Sequence, residues 1–429
     1  MRKSRLNFLF VSLDASIGDL AWKIVQENHH ARYFVQEDYG RDVCDGFIKK
    51  VDNWEDHIDW ADIIVFDDIG YGKPANELRK KGKFVIGGSP YTDKLEDDRE
   101  FGQAELEKVG VKILPSYNFK SFTRAINFVK ENPARYVIKP SGKAQGDKEL
   151  LFVGQEDDGR DVLQVLKHYK KTWSGQIKTF QIQKYAEGVE IAVGAFFNGK
   201  NFVYPINVNF EHKRLFNGNI GPSTGEMGTL MYWTEQNDVF DKTLGKMEEK
   251  LAESGYVGVI DVNCIANHKG VYPLEFTCRW GYPTISIMME GVISRWGDFL
   301  YSLVHQEPVR LRVKHGFQVG VVIAVPPFPF WDIEAFKRYS EDAVILFKTP
   351  DKRGVHLGEV KLEDGDWKLA GKSGYALIVT GNGVTVEAAR QQAYQRVKNI
   401  MIPNMFYRTD IGLRWYEDSD KLQTFGYLY

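Results

Sequence analysis

Along the first hundred residues, runs of consecutive apolar residues alternate with amphipathic stretches. LNFLFVSL, ARYFVQE, ADIIVFDD and KFVIGGSP predict strands, while GDLAWKIVQEN and PANELRKKG predict helices. Apolar strands divided by amphipathic helices indicate a parallel α/β sheet. A longer helix is predicted over Leu95 to Gly110, with acidic residues early and a glycine stop.

Beyond Pro115 the texture changes. SFTRAINFVKEN and DVLQVLKHYKKTW predict helices, and RYVIKPSGKAQGDKELLFV predicts two strands around a Gly and Lys loop. The stretch from Thr179 to Phe210 predicts strands with a turn at Asn198 and Gly199. Tyr256 to Trp280 predicts two apolar strands joined by a turn at Asn267 to Gly270. YALIVTGNG and TVEAARQQAYQRVKNI predict a further α/β unit near the C-terminus. Between these, NGNIGPSTGEMGT (Asn217 to Thr229) has four glycines and no apolar period, and is predicted to be a loop.

At 429 residues the chain exceeds one hydrophobic core and implies about two to four domains. Its 43% hydrophobic and 27% charged residues are those of a folded globular protein. A net charge of −2 disfavours a nucleic-acid binder. Cys44, Cys264 and Cys278 are scattered, which disfavours a disulfide framework or structural zinc and fits a reducing cytoplasm. The N-terminal apolar stretch is broken by Asn7 and Ser12 and ends at Asp14, so it reads as a strand and not a signal peptide. No run reaches the roughly twenty apolar residues of a membrane span, so no membrane partner is expected.

Three constellations offer chemistry. Lys139 ends an apolar strand and is followed by Gly142, Lys143, Gly146 and Lys148. That segment either folds over a polyphosphate or forms a hairpin with solvated lysines. Glu187 and Glu190 bracket Gly188 and suit either the hydroxyls of a ribose or a surface turn. Glu275, Thr277 and Arg279 fall on one strand face, with Asp261 across a short hairpin. Paired carboxylates there suit Mg²⁺, or the face is polar and meets water.

Taken in order, the Lys139 loop, QKYAEGVE, EHKRLFNGNIGPSTGEMG and LEFTCRWGYP resemble the ATP-grasp ligases, specifically the phosphoribosylamine-glycine ligase family. LEDDREF, GGSP, AARQQAY and FYRTDIG extend the resemblance over nearly the whole chain. It implies an α/β protein with an ATP-grasp fold: an N-terminal parallel α/β domain over residues 1–94, an ATP-grasp domain over 95–312 with a small lid lobe at about 116–186, and a C-terminal α/β domain over 313–429. It also implies ATP and Mg²⁺ as cofactors, with a small-molecule carboxylate (glycine or another amino acid) and an amine as partners.

Carried over residue by residue, the resemblance places Lys139 on ATP phosphates beneath a lid containing Gly142, Lys143 and Gly146. It assigns Gln183, Lys184 and Tyr185 to the adenine pocket, Glu190 to the ribose and Glu275 to Mg²⁺, with Asp261 and Thr277 as further candidate ligands. Arg279 would steady the transferred phosphate. His212, Lys213 and Arg214 would frame the acceptor site together with Gly221, Pro222, Ser223, Thr224, Gly225 and Glu226.

The chain departs from that pattern at several positions. Thr277 stands where the family has Asn, and Glu226 replaces a glycine. LDASIGD replaces a loop that in the family binds the phosphate of phosphoribosylamine, and FDDIGYG replaces a second family loop, where Asp67 and Asp68 would repel a phosphate; Asp14, Asp67 and Asp68 together would suit an amine acceptor without one. The expectation is an ATP-dependent carboxylate-amine ligase whose acceptor has diverged from phosphoribosylamine. The alternative is a nucleotide-binding protein that keeps the fold without turnover.

Overall fold

The N-terminal apolar runs form a five-stranded parallel sheet, ordered Lys49–Lys50, His30–Val35, Asn7–Ser12, Ile63–Phe66 and Val85–Ile86. The computed structural model describes residues 4–141 and 150–428. Phe8, Leu9, Phe10 and Val11 are wholly buried, as expected of a central strand covered on both faces. The carboxyl ends of Asn7–Ser12 and Ile63–Phe66 are neighbours, so Leu13 and Asp14 emerge beside Asp67 and Asp68.

The helix predicted over Leu95 to Gly110 is in fact two, Pro90–Asp97 and Arg99–Lys108. Asp98 is extended (φ −111°, ψ 91°), and its carboxylate accepts the Phe101 amide hydrogen, so it caps the second helix instead of continuing the first.

Residues 116–184 carry a four-stranded antiparallel sheet ordered Ser116–Phe119, Thr179–Lys184, Tyr136–Ser141 and Phe152–Val153. One face is apolar: Ile138, Phe180 and Ile182 pack with Phe122, Val129, Val162 and Leu166 of the helices Phe122–Glu131 and Arg160–Thr172. Strand alternation sends Lys139, Gln181, Gln183 and Asn118 to the opposite face.

The largest sheet has eight antiparallel strands, ordered Gly270–Thr277, Gly258–Asn267, Val189–Phe197, Phe202–Glu211, Gly228–Thr234, Phe317–Ala324, Tyr375–Gly383 and Val355–Leu357. It runs without a break across residues 312 and 313, because Gly228–Thr234 pairs with Phe317–Ala324. One face carries Val193, Val208, Leu230, Val319 and Val379 into the main core. The other carries a row in register, Glu275, Asn263, Ala192, Asn209, Met231, Gln318 and Asn382. Helix Val386–Val397 lies directly on this sheet: a Cβ on Gly381 would meet the Ala393 amide nitrogen at 2.4 Å, so only glycine permits the approach.

The glycine-rich stretch after Arg214 is more ordered than its composition predicts. Arg214–Phe216 pairs with Ile220–Ser223 as a short hairpin turning through Gly218 (φ 73°) and Asn219 (φ 57°), and Gly228 opens the next strand of the large sheet. Cross-strand pairing, invisible in a local pattern, makes strands of residues without β propensity.

Among the described residues, no helix is long and apolar enough to cross a membrane. The three cysteines are buried free thiols.

Candidate active site

The strand Phe202–Glu211 ends beside Val189–Phe197, which brings Glu211, Lys213 and Glu190 together where the Gly258–Asn267 and Gly270–Thr277 hairpin delivers Glu275. The Lys213 ammonium lies 2.8 Å from Glu190, 3.3 Å from Glu211 and 3.6 Å from Glu275. Burial alone would strip its proton, but the three carboxylates overcome that and hold Lys213 cationic far above its ordinary range. Glu211 also accepts a 2.9 Å hydrogen bond from the Asn263 amide, and Glu275 meets the Arg99 guanidinium at 3.7 Å. The main chain of Glu190 is fixed as well, its carbonyl accepting from Arg414 at 2.5 Å.

Lys139 reaches this cluster from the smaller sheet. It is 7% exposed, and desolvation, with Arg99 and Lys213 as like-charged neighbours, lowers its pKa to about 7 despite Glu275 and Glu190. Arg99 binds the two sheets together, donating to the Pro140 carbonyl at 3.0 Å while facing Glu275. Three cations share this partly dehydrated space with three carboxylates, and Lys139, barely able to keep its proton, marks where an anionic ligand would be favoured. Beside it, a cavity of about 560 Å³ lies between the polar face of the smaller sheet and Asp97 to Glu100, lined also by Asn118, Arg124, Ser141 and Gln181. That is a volume suited to a cofactor-sized ligand. Gln183 is buried on the same face, and its amide nitrogen has no hydrogen-bond partner. Lys184 is exposed, and Tyr185 stacks under Arg135, whose guanidinium carbon lies 3.5 Å from the ring centre. Gly142, Lys143 and Gly146 lie outside the described residues.

Asp261 and Thr277 pair directly across the hairpin, a position away from Asn263 and Glu275. Burial and the nearby Glu211 and Glu96 push the Asp261 carboxyl up to about 8, against the smaller opposing effects of Arg279 and the Thr277 hydroxyl. Asp261 and Glu275 therefore share a face but have different partners. Arg279 turns away from Lys213 and toward the N-terminal sheet: its Nε lies 3.2 Å from Glu96 and 3.3 Å from Asp68, and its Nη1 donates to the Trp280 carbonyl at 2.9 Å.

Oxygen donors suited to Mg²⁺ gather near Lys213, namely Glu275, Glu211 and the Asn263 amide oxygen, which has no hydrogen-bond partner. Among the described residues, no group of three or more His, Cys, Asp or Glu side chains is disposed to hold a metal by itself. The donor set fits a cation whose coordination is completed by phosphate oxygens and water.

His212 and Arg214 flank Lys213 in sequence but face elsewhere. His212 is 2% exposed. One ring nitrogen accepts from the Gly412 amide at 3.0 Å and the other faces Arg408 at 3.2 Å. Burial and the guanidiniums of Arg414 and Arg408 lower its pKa to about 3, so the ring is neutral; with Nε2 accepting from Gly412, its one proton sits on Nδ1, which packs against Arg408 without accepting from it. Arg214 donates to the Gly221 carbonyl at 2.9 Å across its own hairpin. The hairpin in turn docks on the C-terminal segment. Asn217 donates to Thr409 at 2.6 Å, the Gly218 amide donates to Asp410 at 2.9 Å, and Arg408 reaches Asn219 at 3.0 Å. Thr224 folds back on the Lys213 carbonyl through both its amide and its hydroxyl, and Glu226 accepts from the Thr229 hydroxyl. Gly221 and Gly225 (φ 83° and 85°) allow these reversals, with Pro222 and Ser223 between them.

Sequence reasoning missed Arg99, Glu211, Glu96 and Asn263. Arg99 and Glu96 lie within the quoted LEDDREF and Glu211 opens EHKR, so adjacency was the available signal. Only register reveals Asn263, placing it opposite Glu275.

Comparison with known proteins agrees with this architecture. The model of the phosphoribosylglycinamide synthetase ATP-grasp (A) domain matches residues 97–285, and that of the same enzyme's C domain matches 318–414. The phosphoribosylamine-glycine ligase of Clostridium acetobutylicum is 26% identical over 416 residues, covering 92% of this chain and 96% of that protein. The ligase of the same name from Neisseria meningitidis is 25% identical over 414 residues, 92% of this chain and 95% of its own. Among solved structures, the phosphoribosylamine-glycine ligase of Thermotoga maritima superposes with a TM-score of 0.71 at 22% identity, covering 95% of this chain and 100% of that one. The biotin carboxylase domain of the Hydrogenobacter thermophilus 2-oxoglutarate carboxylase superposes with a TM-score of 0.65 at 13% identity, covering 99% and 96%. With two consecutive domain models of one enzyme matched in order over more than half of its length, the chain belongs to the phosphoribosylglycinamide synthetase family and has the ATP-grasp fold.

Proposed function

We propose that the protein is an ATP-dependent ligase joining the carboxylate of a small amino acid, glycine in the named relatives, to an amine. The observation that carries this reading is the convergence of Lys139, Arg99 and Lys213 with Glu275, Glu211 and Glu190 at the junction of two sheets. Cations alone would suit any anion. Cations interleaved with carboxylates suit a polyphosphate that arrives with a divalent metal.

In the reaction, a carboxylate oxygen attacks the γ-phosphorus of ATP and the bond to the ADP oxygen breaks, leaving an acyl phosphate. The amine nitrogen then attacks the acyl carbon, phosphate departs, and the nitrogen gives up a proton as the amide forms. Negative charge accumulates on the transferring group in both steps, so fixed cations are the catalytic resource. Lys139 and Arg99 supply them from the side of the smaller sheet, and Lys213 from the larger one. Glu275, with Glu211 and the Asn263 amide oxygen nearby, would hold Mg²⁺, which would supply positive charge against the phosphates. The lowered pKa of Lys139 means that a bound phosphate restores its full charge, so nucleotide binding above about pH 7 takes up a proton.

The purified protein with ATP, Mg²⁺, an amino acid and hydroxylamine should release ADP and form an amino-acid hydroxamate, because hydroxylamine captures an acyl phosphate. ADP release without hydroxamate would remove the acyl phosphate from the mechanism. A second reading, nucleotide binding without turnover, draws on Thr277, which bonds Asp261 across the hairpin instead of facing Glu275. Binding of MgATP with no ADP formed from any amino acid would favour it.

A further inference from the structure

The end of the cleft nearest the N-terminal sheet has a chemical character that the nucleotide site does not explain. Asp67 is wholly buried at the strand end, its carboxyl accepting from the Leu13 amide at 3.0 Å and from the Ser12 hydroxyl. Asp68 accepts from the Ile69 amide at 2.8 Å and faces Arg279. Asp14, past the end of the neighbouring strand, accepts from the amide and hydroxyl of Ser16, two residues on. Burial, followed by repulsion from Asp14 and Asp68, lifts the Asp67 carboxyl far above the usual carboxylate range. The guanidinium beside them, Arg279, is already shared between Asp68 and Glu96.

Aromatic rings border these acids. Burial, with Asp67, Asp14 and Asp68 nearby, raises the pKa of the Tyr282 hydroxyl, which has no hydrogen-bond partner. Burial, then Asp14, Glu37, Glu359 and Asp68, pushes Tyr39 up to about 12. The protein already seats an ammonium at this rim: Lys372 Nζ lies 3.1 Å from the centre of the Tyr39 ring and 4.4 Å from that of Trp331, with Glu37 and Glu359 nearby. Carboxyls combined with aromatic faces are the surroundings that favour organic cations.

An independent feature points the same way. In the large sheet, Ala192 and Gly194 are the only side-chain positions that Val189–Phe197 places between Asp261 and Asn263 on one flank and Asn207 and Asn209 on the other. The result is a trough that a Cβ on Gly194 would close, since it would meet Asp261 Cβ at 2.8 Å and Asn207 Oδ1 at 3.0 Å. Asn209 and Asn263 are 0% and 4% exposed, and the amide oxygen of each has no hydrogen-bond partner. Asn207 Nδ2 also lacks one. Asn209 Oδ1 is a buried acceptor apart from the Mg²⁺ donor set, so a ligand that completes the trough must donate to it. Arg279 lies between the two regions, paired with Asp68 and two residues beyond Thr277, the cross-strand partner of Asp261.

We infer that the amine substrate is a phosphate-free organic cation, recognised by Asp14 and Asp68, which Asp67 backs from the strand end, with Tyr39 and Tyr282, and by the acceptor-lined trough over Ala192 and Gly194. This rests on the ligase reading and specifies its acceptor. A phosphorylated amine would bring two negative charges to a region whose neighbouring guanidinium, Arg279, is already paired.

The test uses matched pairs, ribosylamine with phosphoribosylamine and glucosamine with glucosamine 6-phosphate, together with 1,4-diaminobutane. Amine-dependent ADP release is measured on the full chain at saturating ATP and amino acid, and hydroxamate formation without any amine is recorded in parallel. The phosphate-free member of a pair is expected to have at least a tenfold higher kcat/KM. Asp14→Asn and Asp68→Asn should each shrink that preference by raising KM more than they lower kcat. Equal use of both members, preference for the phosphorylated one, or no amine used while hydroxamate forms would overturn the inference. Loss of hydroxamate as well would instead strike the ligase reading beneath it.

Discussion

Two buried groups at the site titrate in the neutral range, and they act on stability in opposite senses. Lys139 has a folded pKa of about 7 against an ordinary 10.5, so between those values the folded protein binds fewer protons than the unfolded chain. Its penalty is therefore full below about pH 7 and fades as pH rises toward 10.5. Asp261 has a folded pKa of about 8 against 3.8, so the folded protein binds more protons across that interval. Its penalty is absent at pH 3.8, grows as pH rises and is complete above about 8. Lys139→Met should remove the alkaline rise in stability and weaken ATP binding by about 2–3 kcal/mol, the loss expected for a charged hydrogen bond. Asp261→Asn should raise stability at pH 8 more than at pH 5. Urea midpoints taken from pH 5 to 9 check both, and a midpoint difference for Asp261→Asn that does not grow with pH would contradict the second.

At the scale of elements, the hairpin after Arg214 is held in place by the C-terminal segment. Arg408 is 1% exposed and satisfies Asp410, the Arg214 carbonyl and Asn219 at 2.7–3.0 Å, which makes it the peg of that joint. Arg408→Met should cost about 3–5 kcal/mol because Asp410 loses a largely buried partner. It should also speed amide exchange in residues 214–226, whereas unchanged exchange there would mean that the hairpin holds itself. Glu290 performs a comparable task elsewhere, tying helix Thr284–Gly291 to Arg396 at 3.0 Å, Lys314 at 2.9 Å and Asn382 at 2.6 Å. Burial would raise its pKa, but Arg396 and Lys314 prevail and lower it. Its contribution is present above its unfolded pKa and is lost as pH falls through the lower folded one. Glu290→Gln should therefore narrow the stability gap between pH 7 and pH 3 in a thermal melt.

The whole molecule shows which parts of the account a linear chain reveals. Apolar runs such as FLFV and IIVF marked the parallel sheet, because strands covered on both faces leave an unbroken apolar signal. The docking of His212 on Gly412 and the sheet crossing residue 312 depend on partners tens to hundreds of positions away, which no local pattern encodes, and Glu275 stands opposite Asn263 through a register irregularity that the hairpin pattern does not show. Lys139, Lys213, Glu190 and Glu275 do converge, whereas His212 and Arg214, their neighbours in sequence, face the other way, since successive residues of an extended chain alternate. Asp98 shows the same limit inside one helix pattern: an acidic early turn read as dipole support is in fact the cap of a second helix.

The measurement that bears most directly on the central claim is hydroxamate capture by the wild-type protein and Glu275→Gln with MgATP, hydroxylamine and a panel of amino acids beginning with glycine. The account predicts equimolar ADP and hydroxamate for at least one amino acid with the wild type, and a fall of at least about a hundredfold in Glu275→Gln, the scale expected when a group that stabilises phosphoryl transfer is removed. Undiminished hydroxamate formation by Glu275→Gln, or ADP release that never yields hydroxamate, would contradict it.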